Sequence, residues 1–113
     1  MKSPVSVVEV CSALGDDTRW SILQQLGQEP ASASTLAQEL PISRQAVAQH
    51  LEVLLAAGLV DRRRHGREVR YQPLGSTLSA ALREMDALAA GWDRRLDSLK
   101  QRAEAPARTA ERD

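Results

Sequence analysis

Between Ser43 and Tyr71 the chain gathers residue types suited to gripping a polyanion and reading its bases. Ser43, Arg44, Gln45, Ala46, Gln49 and His50 come early in a stretch with helical periodicity. Arg62, Arg63, Arg64, His65, Arg67 and Arg70 surround a His65-Gly66 turn. Gln pairs bidentately with adenine, Arg with guanine, and an alanine methyl packs on the methyl of thymine. Ser43, Arg44 and His50 suit phosphate oxygens, helped by the partial positive charge of a helix N-terminus. Arginines at the tip of a hairpin suit phosphates or a narrow minor groove. A plain solvated helix face is the competing reading for the polar positions, and the arginine-rich hairpin beside them argues against it.

The formal net charge is zero, so total charge is uninformative about a polyanionic partner. Its distribution is not. Residues 1–42 carry a net charge of −3, residues 43–72 a net of +3, and residues 73–113 balance. The middle segment holds six arginines against Glu52, Asp61 and Glu68. A local excess of this kind is the electrostatic footprint of a nucleic-acid contact.

The elements that position these residues follow from spacing and punctuation. Ser43 is placed to cap a helix whose inner stripe is Val47, Leu51 and Leu54, widened by Leu55 and stopped by Gly58. Leu59 to Arg64 and Arg67 to Gln72 then predict two short antiparallel strands, with Val69 and Tyr71 on one face. Upstream, residues 5–14 predict a first helix with a 7–10–11–14 apolar face, ended by Gly15. Asp16 is a candidate N-cap for a second helix burying Ile22, Leu23 and Leu26, with Gly27 and Pro30 as its end. Ser32 or Ser34 starts a short third helix with Leu36, Ala37 and Leu40 inside, broken by Pro41. Two or three residues link these helices, the connection length of a helix-turn-helix.

From Ser76 to about Ala103 a long helix is predicted. Leu78, Leu82, Met85, Ala89, Trp92, Leu96 and Leu99 recur in alternating steps of four and three, the seam of a coiled coil. The seam exceeds what so small a core can cover, so it reads as a dimerisation helix, packing back on its own domain being the alternative. Residues 104–113 lose the pattern and read as a disordered tail. Trp20 suits either the core or a partner subunit. The expected fold is mainly α with a small β-hairpin: a single winged helix-turn-helix domain over residues 1–103, with five helices and a two-stranded wing.

A chain of 113 residues suits one domain. Without Phe, and with one Tyr and two Trp, the core must be built from Leu, Val and Ala. Cys11 is the sole cysteine, which excludes an intrachain disulfide. No apolar run approaches the ~18 residues of a membrane span, and no signal-peptide pattern opens the chain, so a cytoplasmic protein is expected. No nucleophile–base pair, phosphate loop or paired catalytic carboxylate stands out, and an enzyme is not expected.

Three motifs together resemble the ArsR family of bacterial winged helix-turn-helix repressors. Ala13-Leu14-Gly15-Asp16-Asp17-Thr18-Arg19 with Ile22-Leu23 is similar to the family's opening. Ser43 to Leu51, Leu54 and Ala57-Gly58-Leu59-Val60 are similar to its reading helix, and Arg64 to Tyr71 to its wing. The resemblance covers roughly residues 5–75. It implies a homodimer through the first and last helices that binds an inverted-repeat operator in double-stranded DNA. Val7, Cys11, Trp20, Leu78, Leu82, Met85, Trp92, Leu96 and Leu99 are the candidate dimer residues. Two departures stand out. Asp17 replaces the family's usual Pro at the first helical position, which either residue suits. Gln49 stands where many members carry a small hydroxyl, which alters the bases read.

The family's metal sites need a cysteine pair on the third helix or His with carboxylates on the last. Ser32 to Leu40 has no cysteine, and the last helix has no His. Glu84, Asp86, Asp93 and Asp97 alone are a poor set for zinc. No metal and no cofactor are therefore expected. Cys11 sits among Val7, Val8, Val10 and Leu14 and reads as a small buried hydrophobe more than as a redox-active thiol. Two other readings stay open: a winged-helix module that binds protein, and a repressor relieved by an oxidant or a small-molecule inducer.

Overall fold

The structure, a computed structural model, describes residues 6–104. Its elements are α1 (Val7–Leu14), α2 (Asp17–Gln28), β1 (Ala31–Ser32), α3 (Ala33–Glu39), α4 (Arg44–Ala56), β2 (Val60–His65), β3 (Glu68–Pro73) and α5 (Gly75–Glu104). The fold is mainly α, with five helices and an antiparallel hairpin, as the sequence predicts. Its residues divide into two units. The first runs through Ala81 and so includes the opening turns of α5. The second is the helical remainder from Leu82.

Each of the first four helices starts at a short side chain that satisfies a free amide of the first turn. Ser6 accepts from the Glu9 amide at 3.1 Å, Asp16 from Arg19 at 3.0 Å, Ser32 from Thr35 at 3.1 Å and Ser43 from Ala46 at 3.0 Å. Ser32 is itself buried, and its hydroxyl also donates to Thr35 Oγ1. The α4 C-terminus closes with Gly58 at φ +77°, the left-handed conformation glycine adopts without penalty. The Leu59 amide reaches Leu54 O and the Gly58 amide reaches Leu55 O, so two carbonyls of the last turn are paired. This stop turns the chain directly into β2.

The core of the first unit is made of Val10 and Ala13 from α1, Ile22 and Leu26 from α2, Leu36 from α3 and Val47, Leu51 and Leu54 from α4. Leu59, Val60 and Ala81 complete it. The stripes expected on the second, third and fourth helices are thus inside, with Leu23, Ala37, Leu40 and Leu55 at half-buried margins.

Five local expectations are corrected. The inward face of α1 centres on Val10 and Ala13, so Cys11 is exposed and not buried. The α1 face expected from spacing is therefore rotated, because an alanine and not the cysteine occupies the inner position. Gly27 lies inside α2, which continues to Gln28 and is capped at Glu29. Nothing in the structure lies within 4 Å of a β-carbon placed at Gly27, and the position needs no special backbone. The two-residue turn of the hairpin is Gly66-Arg67, because His65 pairs with Glu68. Gly66 has φ +64°, the sign required at the first central position of a type II′ turn. The wing also has a third strand: β1 pairs antiparallel with β3 in the order β1-β3-β2, with Ala31 opposite Tyr71 and Ser32 opposite Arg70. Two residues beside Pro30 carry too little pattern to be read as a strand from sequence. Lastly, Glu104 still belongs to α5, and the rest of the expected tail, 105–113, lies outside the described residues.

Candidate nucleic-acid interface

On α4 each residue advances about 100° around the axis. With Val47, Leu51 and Leu54 inside, the outermost strip is Gln45, Gln49, Glu52 and Ala56, all exposed. The expected base readers Gln45 and Gln49 therefore stand together, two amide side chains one turn apart on the solvent face. Ala46 is half-buried on one flank of that strip, and Ala48 is exposed on the other.

Ser43 and Arg44 are exposed at the helix N-terminus. The Ser43 Oγ accepts the Ala46 amide, which leaves its hydroxyl proton free to donate. Arg44 Nε donates to Ser34 Oγ at 2.9 Å, so the first residue of α4 is braced against the second residue of α3. The sequence marks Ser34 only as a possible helix start; in the structure its hydroxyl accepts from Arg44.

In the wing, cross-strand partners share a face. Arg62 lies opposite Tyr71 and Arg64 opposite Val69, while Arg63 lies opposite Arg70 and His65 opposite Glu68. The Arg62 face is the one turned toward α4. Its guanidinium comes within 3.7 Å of Glu52. Arg44, Arg62 and Arg67 line one groove of about 430 Å³ with Ser34, Val69 and Tyr71. Glu68 is its one acidic lining residue, and that carboxylate bonds Arg70 at 2.9 Å. Arg63 pairs with Asp61 at 3.7 Å. Among the described residues, Arg64 and Arg67 have no salt-bridge partner, and Arg67 occupies the turn itself. A larger groove of about 610 Å³, beside β1, is lined by Glu29, Glu39 and Glu68 against Arg70, a poor match for a polyanion.

His50 differs from the other expected contacts. It is half-buried on the α2 side of α4, with Nδ1 3.2 Å from Arg19 Nη1. The same guanidinium donates to Ala13 O at 2.6 Å and Ser12 O at 3.3 Å, the last carbonyls of α1. Asp16, at the start of this turn, has its carboxyl held below the usual range chiefly by the Arg19 amide it accepts. Burial opposes that shift, and the Thr18 amide and the charge of Arg19 add to it.

The expected dimer residues divide between the units. In the first, Val7 and Leu78 are half-buried while Cys11 and Trp20 are exposed. In the second, Met85 is half-buried and Leu82, Trp92, Leu96 and Leu99 are exposed, Trp92 by 56% and Leu96 by 61%. Leu88 is exposed beside them. Among the described residues no group of three or more His, Cys, Asp and Glu is placed to hold a metal ion, and no helix is long and apolar enough to cross a membrane.

Comparison with known proteins agrees with this geometry. A family described as a helix-turn-helix domain matches residues 14–63. The HTH-type transcriptional regulator Rv2034 of Mycobacterium tuberculosis is 39% identical over 89 residues, 79% of this chain and 80% of that protein. An ArsR-like transcriptional regulator from Rhodococcus sp. RHA1 superposes with a TM-score of 0.81 at 49% identity, covering 84% of this chain and 90% of that one. A homodimeric winged helix-turn-helix DNA-binding domain, Mb0332 of Mycobacterium bovis, superposes with a TM-score of 0.61 at 26% identity over 72% of this chain and 77% of its own. A reading helix, an arginine-bearing wing and these relatives lead to one conclusion: the chain belongs to the ArsR family of winged helix-turn-helix transcriptional regulators.

Proposed function

We propose that the protein is a homodimeric repressor that occupies an inverted-repeat operator and needs no metal ion to do so. The observation that carries this reading is the groove joining Arg44 of α4 to Arg62 and Arg67 of the wing, beside the exposed pair Gln45 and Gln49. Positive groups there would hold the phosphates on either side while the amides meet base edges. Arg64 extends the positive surface along β2. Ser43 and the first amides of α4 add phosphate donors.

The dimer is supported by the exposed apolar residues of α5 and by the homodimeric state named for the Mycobacterium bovis domain. Two reading helices related by a two-fold axis meet half-sites about 34 Å apart. Metal independence rests on donor chemistry. Cys11 is the sole thiol, and the last helix carries no imidazole. His50 is already engaged by Arg19.

The test is an electrophoretic shift of the promoter fragment of its own gene, with and without a chelator. A retarded band that survives chelation and is competed by an inverted-repeat duplex is expected. No shift of that or any genomic fragment at low salt overturns the reading, and loss of the shift on chelation overturns its metal-independent part. With on the order of eight phosphate contacts per dimer, the logarithm of affinity should fall against the logarithm of salt with a slope near −7.

A further inference from the structure

Arg19 is not a surface arginine left to solvent. It is half-buried, its Nε and Nη2 are committed to the carbonyls of Ala13 and Ser12, and its Nη1 meets His50. Its backbone amide is in turn held by Asp16. Residues from the end of α1, the start of α2 and the middle of α4 thus converge on one guanidinium.

The consequence for His50 is chemical. A guanidinium has five N–H donors and no acceptor. The contact at Nδ1 is therefore a hydrogen bond only if Nδ1 is the unprotonated nitrogen. The imidazole proton must then sit on Nε2, since the partner of one ring nitrogen sets the state of the other. Nε2 has no hydrogen-bond partner among the described residues, and it is not among the buried unpaired side-chain atoms, so solvent reaches it. His50 lies two turns into α4, on the flank between the outward amides and α2.

We propose that Arg19 is a positioning residue for DNA binding: it fixes the Nε2–H form and the ring orientation of His50, which then donates to a backbone phosphate. Arg19 itself touches no DNA. The charge on that contact comes from the phosphate, and the neutral imidazole supplies one directed N–H. Because the guanidinium is seated on the last carbonyls of α1, the contact also ties the phosphate to the helix that leads into the reading domain. This inference rests on the DNA-binding role of α4 proposed above.

The test is a double-mutant cycle on the intact chain with Arg19→Lys, His50→Phe and the double variant. The probe is a fluorescein-labelled duplex from the protein's own promoter, with melting temperature as a control. His50→Phe keeps the ring volume and removes the donor, and should weaken binding about tenfold or more, since two charge-assisted bonds are removed per dimer. Because the imidazole is neutral and releases no counterion, the salt slope should stay unchanged, which separates this loss from the removal of a cationic contact. Arg19→Lys should weaken binding in the His50 background and cost nothing further in the Phe background. A purely structural role would instead produce the same loss in both. Long-range 15N–1H spectra in mildly alkaline buffer should show the His50 proton on Nε2. A proton on Nδ1, an additive cycle, or unchanged binding of His50→Phe overturns the proposal, and the spectra and His50→Phe decide it even if Arg19→Lys does not fold. If the wild-type chain fails to bind the duplex, it is the operator-binding reading that falls.

Discussion

Glu52 of the reading helix and Arg62 of the wing approach to 3.7 Å, so a carboxylate stands on the outward strip of α4 and partly neutralises the wing beside it. Both side chains are exposed, and such a pair adds little to stability. Facing DNA it has a larger effect, because the carboxylate repels phosphate and occupies the arginine that would otherwise reach it. Glu52→Gln should therefore leave the melting temperature within about 2 °C, and tighten DNA binding by ~1 kcal/mol, roughly fivefold. Fluorescence anisotropy measures this. Weaker binding would mean that Glu52 itself accepts from a base, as a carboxylate can from cytosine.

The amides of α4 and the arginines of the wing should fail differently when removed. Gln45→Ala or Gln49→Ala should cost about 1–3 kcal/mol on the best site and relax preference at one base-pair position in each half-site. Arg64→Ala and Arg67→Ala should weaken all sequences alike and lower the salt slope by ~1 for each phosphate no longer neutralised. Titrations of matched and mismatched duplexes at several salt concentrations separate the two patterns. A wing variant that changes base preference would move the wing from phosphate holding to reading.

Gly58 anchors the geometry that both predictions assume. Its φ is +77°, and a β-carbon there would lie 3.3 Å from Thr77 Oγ1 in the opening turns of α5. Gly58→Ala should cost about 1–2 kcal/mol from the backbone conformation alone. For a domain of this size that lowers the melting temperature by roughly 4–16 °C. Calorimetry of the variant checks it. An unchanged melting temperature would show that the α4–β2 junction adopts another path.

Asp16 should leave a mark on acid stability. Its carboxyl titrates below the ordinary value of 3.8 because the folded chain donates the Arg19 amide to the ionised form. The unfolded chain therefore binds the proton more readily. The contribution is fully present above about pH 4 and is lost as the pH falls through the lowered value. Asp16→Asn keeps an oxygen cap without the charge. The stability difference between wild type and variant should be constant at neutral pH and vanish in acid. Urea titrations at several pH values measure it, and a difference that grows on acidification would contradict the assignment.

The exposed seam of α5 should control assembly. Trp92→Glu with Leu96→Glu adds charge where the single chain buries little. Folding should be unaffected, while a central aromatic anchor worth about 2 kcal/mol or more is removed from each subunit. Sedimentation velocity should shift from dimer toward monomer, with weaker operator binding alongside. A dimer that persists at micromolar concentration would place the interface elsewhere.

Single residues show how far local pattern reaches. The α4 stripe of Val47, Leu51 and Leu54, the Asp16 cap and the Gly58 stop are legible in the sequence, because spacing around one helix and the conformation of one residue need no distant partner. Cys11 is misread because spacing defines an apolar face only to within a residue or so, and Val7, Val8, Val10 and Cys11 are all apolar enough to point inward. Tertiary packing chooses Val10 and Ala13. Strand β1 is invisible in the sequence because two residues gain strand character only from the β3 edge they meet.

The family, the helical order and the arginine-rich wing are determined by sequence alone, because each is carried by periodicity, punctuation or charge within a short segment. Only the tertiary structure decides that Arg44 is braced by Ser34, that Arg62 shares its charge with Glu52, and that Arg19 holds His50. Those pairs are 10, 10 and 31 residues apart, and no local pattern brings them within hydrogen-bond or ion-pair range. Packing of α2, α3 and the wing around α4 does so, and it separates the exposed side chains of α4 and the wing from those that brace them.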